Sequence, residues 1–290
     1  MKLYDKIALT IISVLLSVFL FTAIISGILG LTFCNSKFMI TVLEKHDYYG
    51  LIFSEYSESI EDGIAIPAGV EPGVLSNIVT KEDMKEQINN IIKVAYDSKD
   101  DNSEGFDYDG VKQKFYDSMV NYFLGKDYDL TEESYNDILY VATSCADECK
   151  GYSEMPFIYT IGSYADNFKG IFTVVAAVSA GLVAFLLLLI CITKKWRKSL
   201  LFYVGMSCMT SGLMLTAAPL YVIFSNTIKH LSIAIKSLYY FAVGYSYDII
   251  KLILFSGVLL ILISLIIGFK LFIYPLIKRK SQSDKESTEP

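Results

Sequence analysis

The chain has 290 residues, of which 53% are hydrophobic, 14% aromatic and only 19% charged, with a mean hydropathy of +0.44 and a formal net charge of −6. Such a chain is too apolar for an ordinary water-soluble domain. Residues 34–169 are strongly acidic, which argues against nucleic acid or anionic lipid as a partner.

The apolar residues gather into four blocks, 7–31, 170–193, 199–224 and 252–277. The last is interrupted only by Lys270, which lies about a turn from the polar end and can reach the headgroups along its aliphatic stem. A bilayer core about 30 Å thick needs roughly twenty apolar helical residues to cross it, so each block predicts one span. The expected fold class is all-α, with four transmembrane helices and a helical extracytoplasmic domain inserted between the first and second spans. The expected division is a cytoplasmic N-terminus at 1–6, a first span at 7–33, the extracytoplasmic domain at 34–169, a second span at 170–193 and a basic loop at 194–198. A third span at 199–225, an outer loop with an amphipathic helix at 226–248, a fourth span at 249–277 and a disordered cytoplasmic tail at 278–290 complete it.

Lys and Arg near span ends stay on the cytoplasmic side. Lys2 and Lys6 precede the first span, Lys194, Lys195, Arg197 and Lys198 fill the loop between the second and third, and Lys278, Arg279 and Lys280 follow the fourth. All three clusters fall on one side of a four-span weave. This predicts a multi-pass plasma-membrane protein with both termini cytoplasmic and residues 34–169 outside. That outer segment holds 26 Asp and Glu against 11 Lys, an excess of 15 negative charges. The first block starts like a secretory signal, but a cleavable signal has an apolar core of about 7 to 15 residues and an A-x-A-like site. This block is longer and has no such site, so an uncleaved signal anchor is expected. Lysine outnumbers arginine 23 to 2, a bias that fits an AT-rich Gram-positive bacterial genome.

In chain order, Ser36 is positioned to cap a helix carrying Phe38, Val42, Tyr49, Phe53, Tyr56 and Ile60 at helical spacing. Pro67, Gly69, Pro72 and Gly73 then predict a turn region. Thr80-Lys81-Glu82-Asp83 resembles a capping box with Asp in place of Glu or Gln, opening a helix with Met84, Ile88, Ile91 and Ala95 on one face. A further helix is expected with Val111, Phe115, Met119 and Tyr122 facing one way, ending in a turn at Gly125-Lys126-Asp127. Thr131 caps the next, whose stripe is Tyr135, Ile138, Ala142, Cys145 and Cys149. Roughly 130 residues suffice for one bundle core. In the third loop, Ile228, Leu231, Ile235, Leu238 and Ala242 predict an amphipathic helix that either lies on lipid or docks under the outer domain.

Catalytic signals are sparse. Ionisable residues inside spans mark transport pathways, and the blocks carry none apart from Lys270. Gly205, Cys208, Ser211, Gly212 and Thr216 in the third span are read as a helix-packing face. The two histidines, His46 and His230, lie outside the spans, and no H-E-x-x-H motif occurs. With no catalytic constellation in view, a non-enzymatic protein is expected.

Asp100, Asn102 and Glu104, followed by Gly105 and Phe106, match the first half of a calcium loop. The twelfth position holds Val111 where a bidentate Glu belongs, so a calcium site competes with an acidic solvated turn. No other cofactor is implied. Cys34, Cys145 and Cys149 would face a compartment where disulfides persist. Cys145 and Cys149 share a helical face with Cβ atoms about 5 to 6 Å apart, wider than a disulfide prefers. A bridge among the three and buried thiols both remain open. The many outer tyrosines are read as half-buried bundle packing or as a recognition face.

One span, a large outer segment and three closing spans is the layout of claudin-like proteins, but those carry a Trp and two Cys in the first outer loop, and the sole Trp here is Trp196. Tetraspanins place their large loop between the last two spans. The strings Lys45-His46-Asp47-Tyr48-Tyr49, Ala65-Ile66-Pro67-Ala68-Gly69 and Val79-Thr80-Lys81-Glu82-Asp83-Met84-Lys85 resemble four-span membrane proteins of low-GC Gram-positive bacteria with an extracytoplasmic helical domain between spans one and two. That resemblance implies topology and compartment and carries no activity. The expected function is an accessory or sensing subunit whose outer domain binds a partner protein or envelope ligand, with a subunit of a permease or export complex as the alternative.

Overall fold

A computed structural model describes residues 3–97, 105–155, 158–192 and 199–273. The structure is all-α. Four of its helices are long and apolar enough to cross a membrane, and a helical region lies between the first and second of them. The chain divides into two compact units. An apolar unit comprises Met1–Thr32, Lys169–His230 and Ser246–Pro290, and a polar unit comprises Phe33–Phe168 and Leu231–Tyr245.

The apolar unit contains α1 (Leu3–Thr32), most of α7 (Ile158–Ile192), α8 (Leu200–Ser225) and α9 (Lys236–Gly268) from Ser246 onward. In hydrocarbon each backbone amide must be bonded within the segment, which leaves the helix as the structure for such runs. α8 is the most enclosed of the four. Its stripe of small residues serves two neighbours. Ser207 Oγ lies 2.9 Å from Ser13 Oγ and also donates to the Ser13 carbonyl, while Ser211 Oγ donates to the Ser17 carbonyl at 2.8 Å, tying α8 to α1. Against α9 the backbones come close: a Cβ on Gly212 would meet Ile261 Cγ1 at 2.8 Å and the Gly257 carbonyl at 2.9 Å. Ser264 Oγ donates to the Gly205 carbonyl at 2.7 Å. Cys208, Leu215 and Leu260 form the buried centre. The packing role expected for Gly205, Cys208, Ser211, Gly212 and Thr216 is what the structure shows. Val174, Phe185 and Leu188 of α7, and Phe255, Leu262 and Ile266 of α9, are exposed, as apolar solvent requires.

The polar unit is a helical bundle of α2 (Ser36–Lys45), α3 (Tyr48–Ile60), α4 (Lys81–Asp97), α5 (Tyr108–Leu124) and α6 (Glu132–Ser153) with the first residues of α7 and α9. Tyr56, Ile60, Met84, Ile88, Phe115 and Cys145 are fully buried at its centre. The caps expected at Thr80 and Thr131 form. Thr80 Oγ1 accepts from the Asp83 amide at 3.1 Å while Asp83 Oδ2 accepts from the Thr80 amide at 2.8 Å, so Asp closes the box. Thr131 forms the reciprocal pair with Ser134.

Several sequence expectations are corrected. Asn35 rather than Ser36 caps α2, its side chain accepting from the Lys37 amide. The single helix expected from Ser36 to Ile60 is two, because Asp47 adopts left-handed φ of 49° and turns the chain between α2 and α3. The turn expected at Gly125-Lys126-Asp127 does form, with Asp127 in the left-handed position at φ 58°. Tyr135 is exposed although it continues the α6 stripe. No separate amphipathic helix fills 226–248. Thr227–His230 is a short 3-10 turn, and α9 runs unbroken from Lys236 through the boundary expected at residue 249, so that Asp248 and Lys251 lie within it. α7 starts at Ile158 and carries the residues of the expected second span in its later part, as far as Ile192.

Candidate binding cleft

Tyr48, Ile52 and Glu55 stand at spacings of four and three along α3 and so share one face. Glu148 and Tyr152 share a face of α6, and Glu154 follows at its C-cap. Between these helices and the segment from Ala234 to Leu238 opens a cleft of about 470 Å³, within the range of small-ligand sites. Ile52, Ile235 and Leu238 give it apolar walls, and Glu55, Glu148 and Glu154 give it charge. Lys236 is the one cation among its lining residues and is exposed.

The geometry of the carboxylates is set by hydroxyl groups. Glu55 Oε1 accepts from the Ser237 amide at 3.0 Å and Oε2 from Ser237 Oγ at 2.6 Å. A carboxylate from α3 therefore caps the first turn of α9, where unsatisfied amides and the positive end of the helix dipole favour a negative charge. Ser59 donates to Glu148. Adjoining depressions continue the acidic strip through Glu58 and Asp62 on one side and Asp147 on the other. Asp147 accepts from Tyr108 Oη at 2.7 Å. Burial, followed by the nearby Glu55 charge, pushes the Tyr48 hydroxyl well above the usual phenol range.

The returning segment 231–245 is seated on α2 and α3. Phe241 packs edge-on to Tyr48 with ring centres 5.9 Å apart, and Tyr245 packs on Phe38 at 5.8 Å. A Cβ on Gly244 would meet the His46 ring at 2.6 Å, so only glycine lets the helix lie this close. Of the two arrangements the sequence left open for this segment, docking on the helical domain is the one formed.

Several lysines elsewhere in the unit pair with carboxylates: Lys85 with Glu44 at 2.6 Å, Lys114 with Asp83 at 2.6 Å and Lys126 with Glu71 at 2.5 Å. Glu55 and Glu148 make no lysine pair among the described residues, and Glu154 has only Lys150 at 3.8 Å. The cleft thus keeps its negative charge. A second groove of about 240 Å³ between α5 and α6 is lined by Met119, Phe123, Tyr128 and Ile138 with Asp129 and Asp137 at its edge.

The calcium candidates Asp100, Asn102 and Glu104 lie outside the described residues, as do the basic loop 194–198 and the tail from 278. Among the described residues no group of three or more His, Cys, Asp or Glu side chains is placed to hold a metal. Cys145 and Cys149 are buried free thiols, and burial pushes each up to about 12, which keeps them protonated and unreactive at neutral pH. Cys34 is also buried, 5% exposed. His46 belongs to the polar unit and His230 to the apolar one. Sequence reading did not single out Glu55, Glu148, Tyr152 or Glu154. The i, i+4 pairs 48/52 and 148/152 were legible, but their meeting with 234–238 is non-local. Compared with known proteins, the chain matches no family model, no curated protein and no solved structure.

Proposed function

We propose that the chain is a multi-pass plasma-membrane protein whose polar unit faces outward and binds a partner protein or envelope ligand, acting as a non-enzymatic accessory or sensing subunit. Four helices of spanning length and the basic clusters at their ends support the placement. The resemblance to low-GC Gram-positive membrane proteins agrees with it. The observation that carries the binding role is the cleft: an open, half-apolar depression whose Glu55 and Glu148 are oriented by serines and left without lysine partners. The hydroxyls of Ser207, Ser211 and Ser264 bond across helices, which fits a scaffold better than a proton pathway.

The test uses the full chain in intact cells. External protease is expected to cut the loop around Pro67–Gly73 and to spare residues 193–199 until the membrane is opened; the reverse pattern overturns the orientation. A photo-crosslinking residue at Glu58 or Tyr152 is expected to trap a discrete envelope component that the same residue at Lys93 does not. Equal yields at all three positions would remove the binding role. Co-purification of a pore-forming subunit would instead select the permease or export reading.

A further inference from the structure

Carboxylates alone define no site, but in this cleft a second group stands beside them. Tyr48 lines the cleft, is 2% exposed, and makes no side-chain hydrogen bond among the described residues; its contacts are ring to ring, with Tyr49 and Phe241. On a side chain this buried the hydroxyl is nearly always bonded within the protein, whereas the Tyr48 oxygen is not one of the enclosed unbonded atoms and so reaches the cleft. The adjacent Tyr49 obeys that rule, donating to Asn89 Oδ1 at 2.6 Å. Tyr48 therefore carries an open hydroxyl in a wall that also presents Glu55 and Glu148.

We infer, on the reading of the polar unit as a binding module, that this cleft holds an organic cation: an ammonium or guanidinium group on an apolar stem, carried by a lysine or arginine of a partner segment or by a free polyamine. Each part of the wall has a task in that complex. The cation's N–H groups donate to the Glu148 and Glu55 carboxylates and to the Tyr48 oxygen, and charge-assisted bonds of this kind are the strong ones. The stem lies along Ile52, Ile235 and Leu238, and the Tyr152 ring offers a face to the charge. Lys236, exposed at the lining, has a flexible stem that lets its ammonium swing into water. A volume of about 470 Å³ is far larger than a bare metal ion needs and suits a side chain with its flanking backbone.

The experiment uses full-length protein in nanodiscs and two probes, a fluorescent peptide of alternating Leu and Arg and free spermidine. Glu148→Gln is expected to weaken peptide binding about 10- to 100-fold, the range for losing a hydrogen bond to a charged group. Tyr48→Phe, which keeps the ring packing, is expected to weaken it about 3- to 10-fold at the lower end of that scale. Glu44→Gln, remote from the cleft and paired with Lys85, should leave binding unchanged. Thermal unfolding of each variant separates lost binding from lost folding. Peptide binding without competition by spermidine assigns the cation to a protein segment; full competition assigns it to a free polyamine. Peptide binding indifferent to both Glu148→Gln and Tyr48→Phe overturns the inference, as does displacement of the probes by calcium at an ionic strength where sodium has no effect. If neither probe binds while Tyr152 still crosslinks an envelope component, the cation assignment falls and the binding module stands.

Discussion

In the apolar unit α8 meets α1 through hydroxyl-to-carbonyl bonds from Ser207 and Ser211 and meets α9 across Gly212 and Gly257. In the polar unit the space between helices is filled by Tyr56, Phe115, Met84 and Ile88, and lysine–carboxylate pairs lie outside them. The contrast follows from solvent. A large apolar side chain gains by leaving water, so it is the natural filler where the surroundings are aqueous. In hydrocarbon that gain vanishes, and helices cohere by close backbone approach and polar contacts. Each unit is built for a different medium, which is the physical basis for placing one in lipid and the other in water.

Substitutions can break or sharpen this contrast. The largest effect is expected for Phe115→Ala, a cavity at the centre of the polar unit, costing about 3–5 kcal/mol in thermal or denaturant unfolding of the full chain. Gly212→Leu should cost about 1–3 kcal/mol, read as a fall in melting temperature in detergent, since the new side chain collides with Ile261 and the Gly257 carbonyl. Tyr56→Phe runs the other way. The Tyr56 hydroxyl is buried with no hydrogen-bond partner among the described residues, so removing it should stabilise the protein by about 1 kcal/mol.

A pH titration separates the units further. Burial raises the Asp83 carboxyl, but hydrogen bonds from Lys114 and Thr80 outweigh it and hold the group below its ordinary value of 3.8. A depressed carboxylate contributes stability above its unfolded pKa and loses it as pH falls through the folded one. Unfolding of the polar unit should therefore become easier below about pH 4, and Asp83→Asn should flatten that slope. The smallest effect is expected for Ser211→Ala, about 0.6 kcal/mol, the typical worth of an interhelical hydrogen bond in membranes. A loss of several kcal/mol there would mean that hydroxyls, not close packing, hold α8 to α1.

Local features were the most legible from sequence. Thr80 with Asp83, Thr131, and the stripes through Met84–Ile88 and Phe115–Met119 each depend on neighbours within a turn or two, and each formed as expected. The break at Asp47 is not legible because the apolar spacing carries on across it and positive φ is uncommon for any residue but glycine. The full length of α9 is not legible because tyrosines at 239, 240, 245 and 247 suit a membrane interface and a helix equally well. Glu55, Glu148 and Ser237 come together from three distant parts of the chain, and nothing in any one of those parts announces the other two.

The polar unit is discontinuous, and that has a cost in time. Its last piece, Leu231–Tyr245, follows the intervening Lys169–His230. At about 5–20 residues per second, those roughly sixty residues take several seconds to synthesise. Until then the pocket-facing side of Tyr48 and the carboxylate of Glu55 await a seat-mate, so the nascent domain is an open vessel on which chaperones can act. An excised fragment ending at residue 168 would stay in that unfinished condition for good.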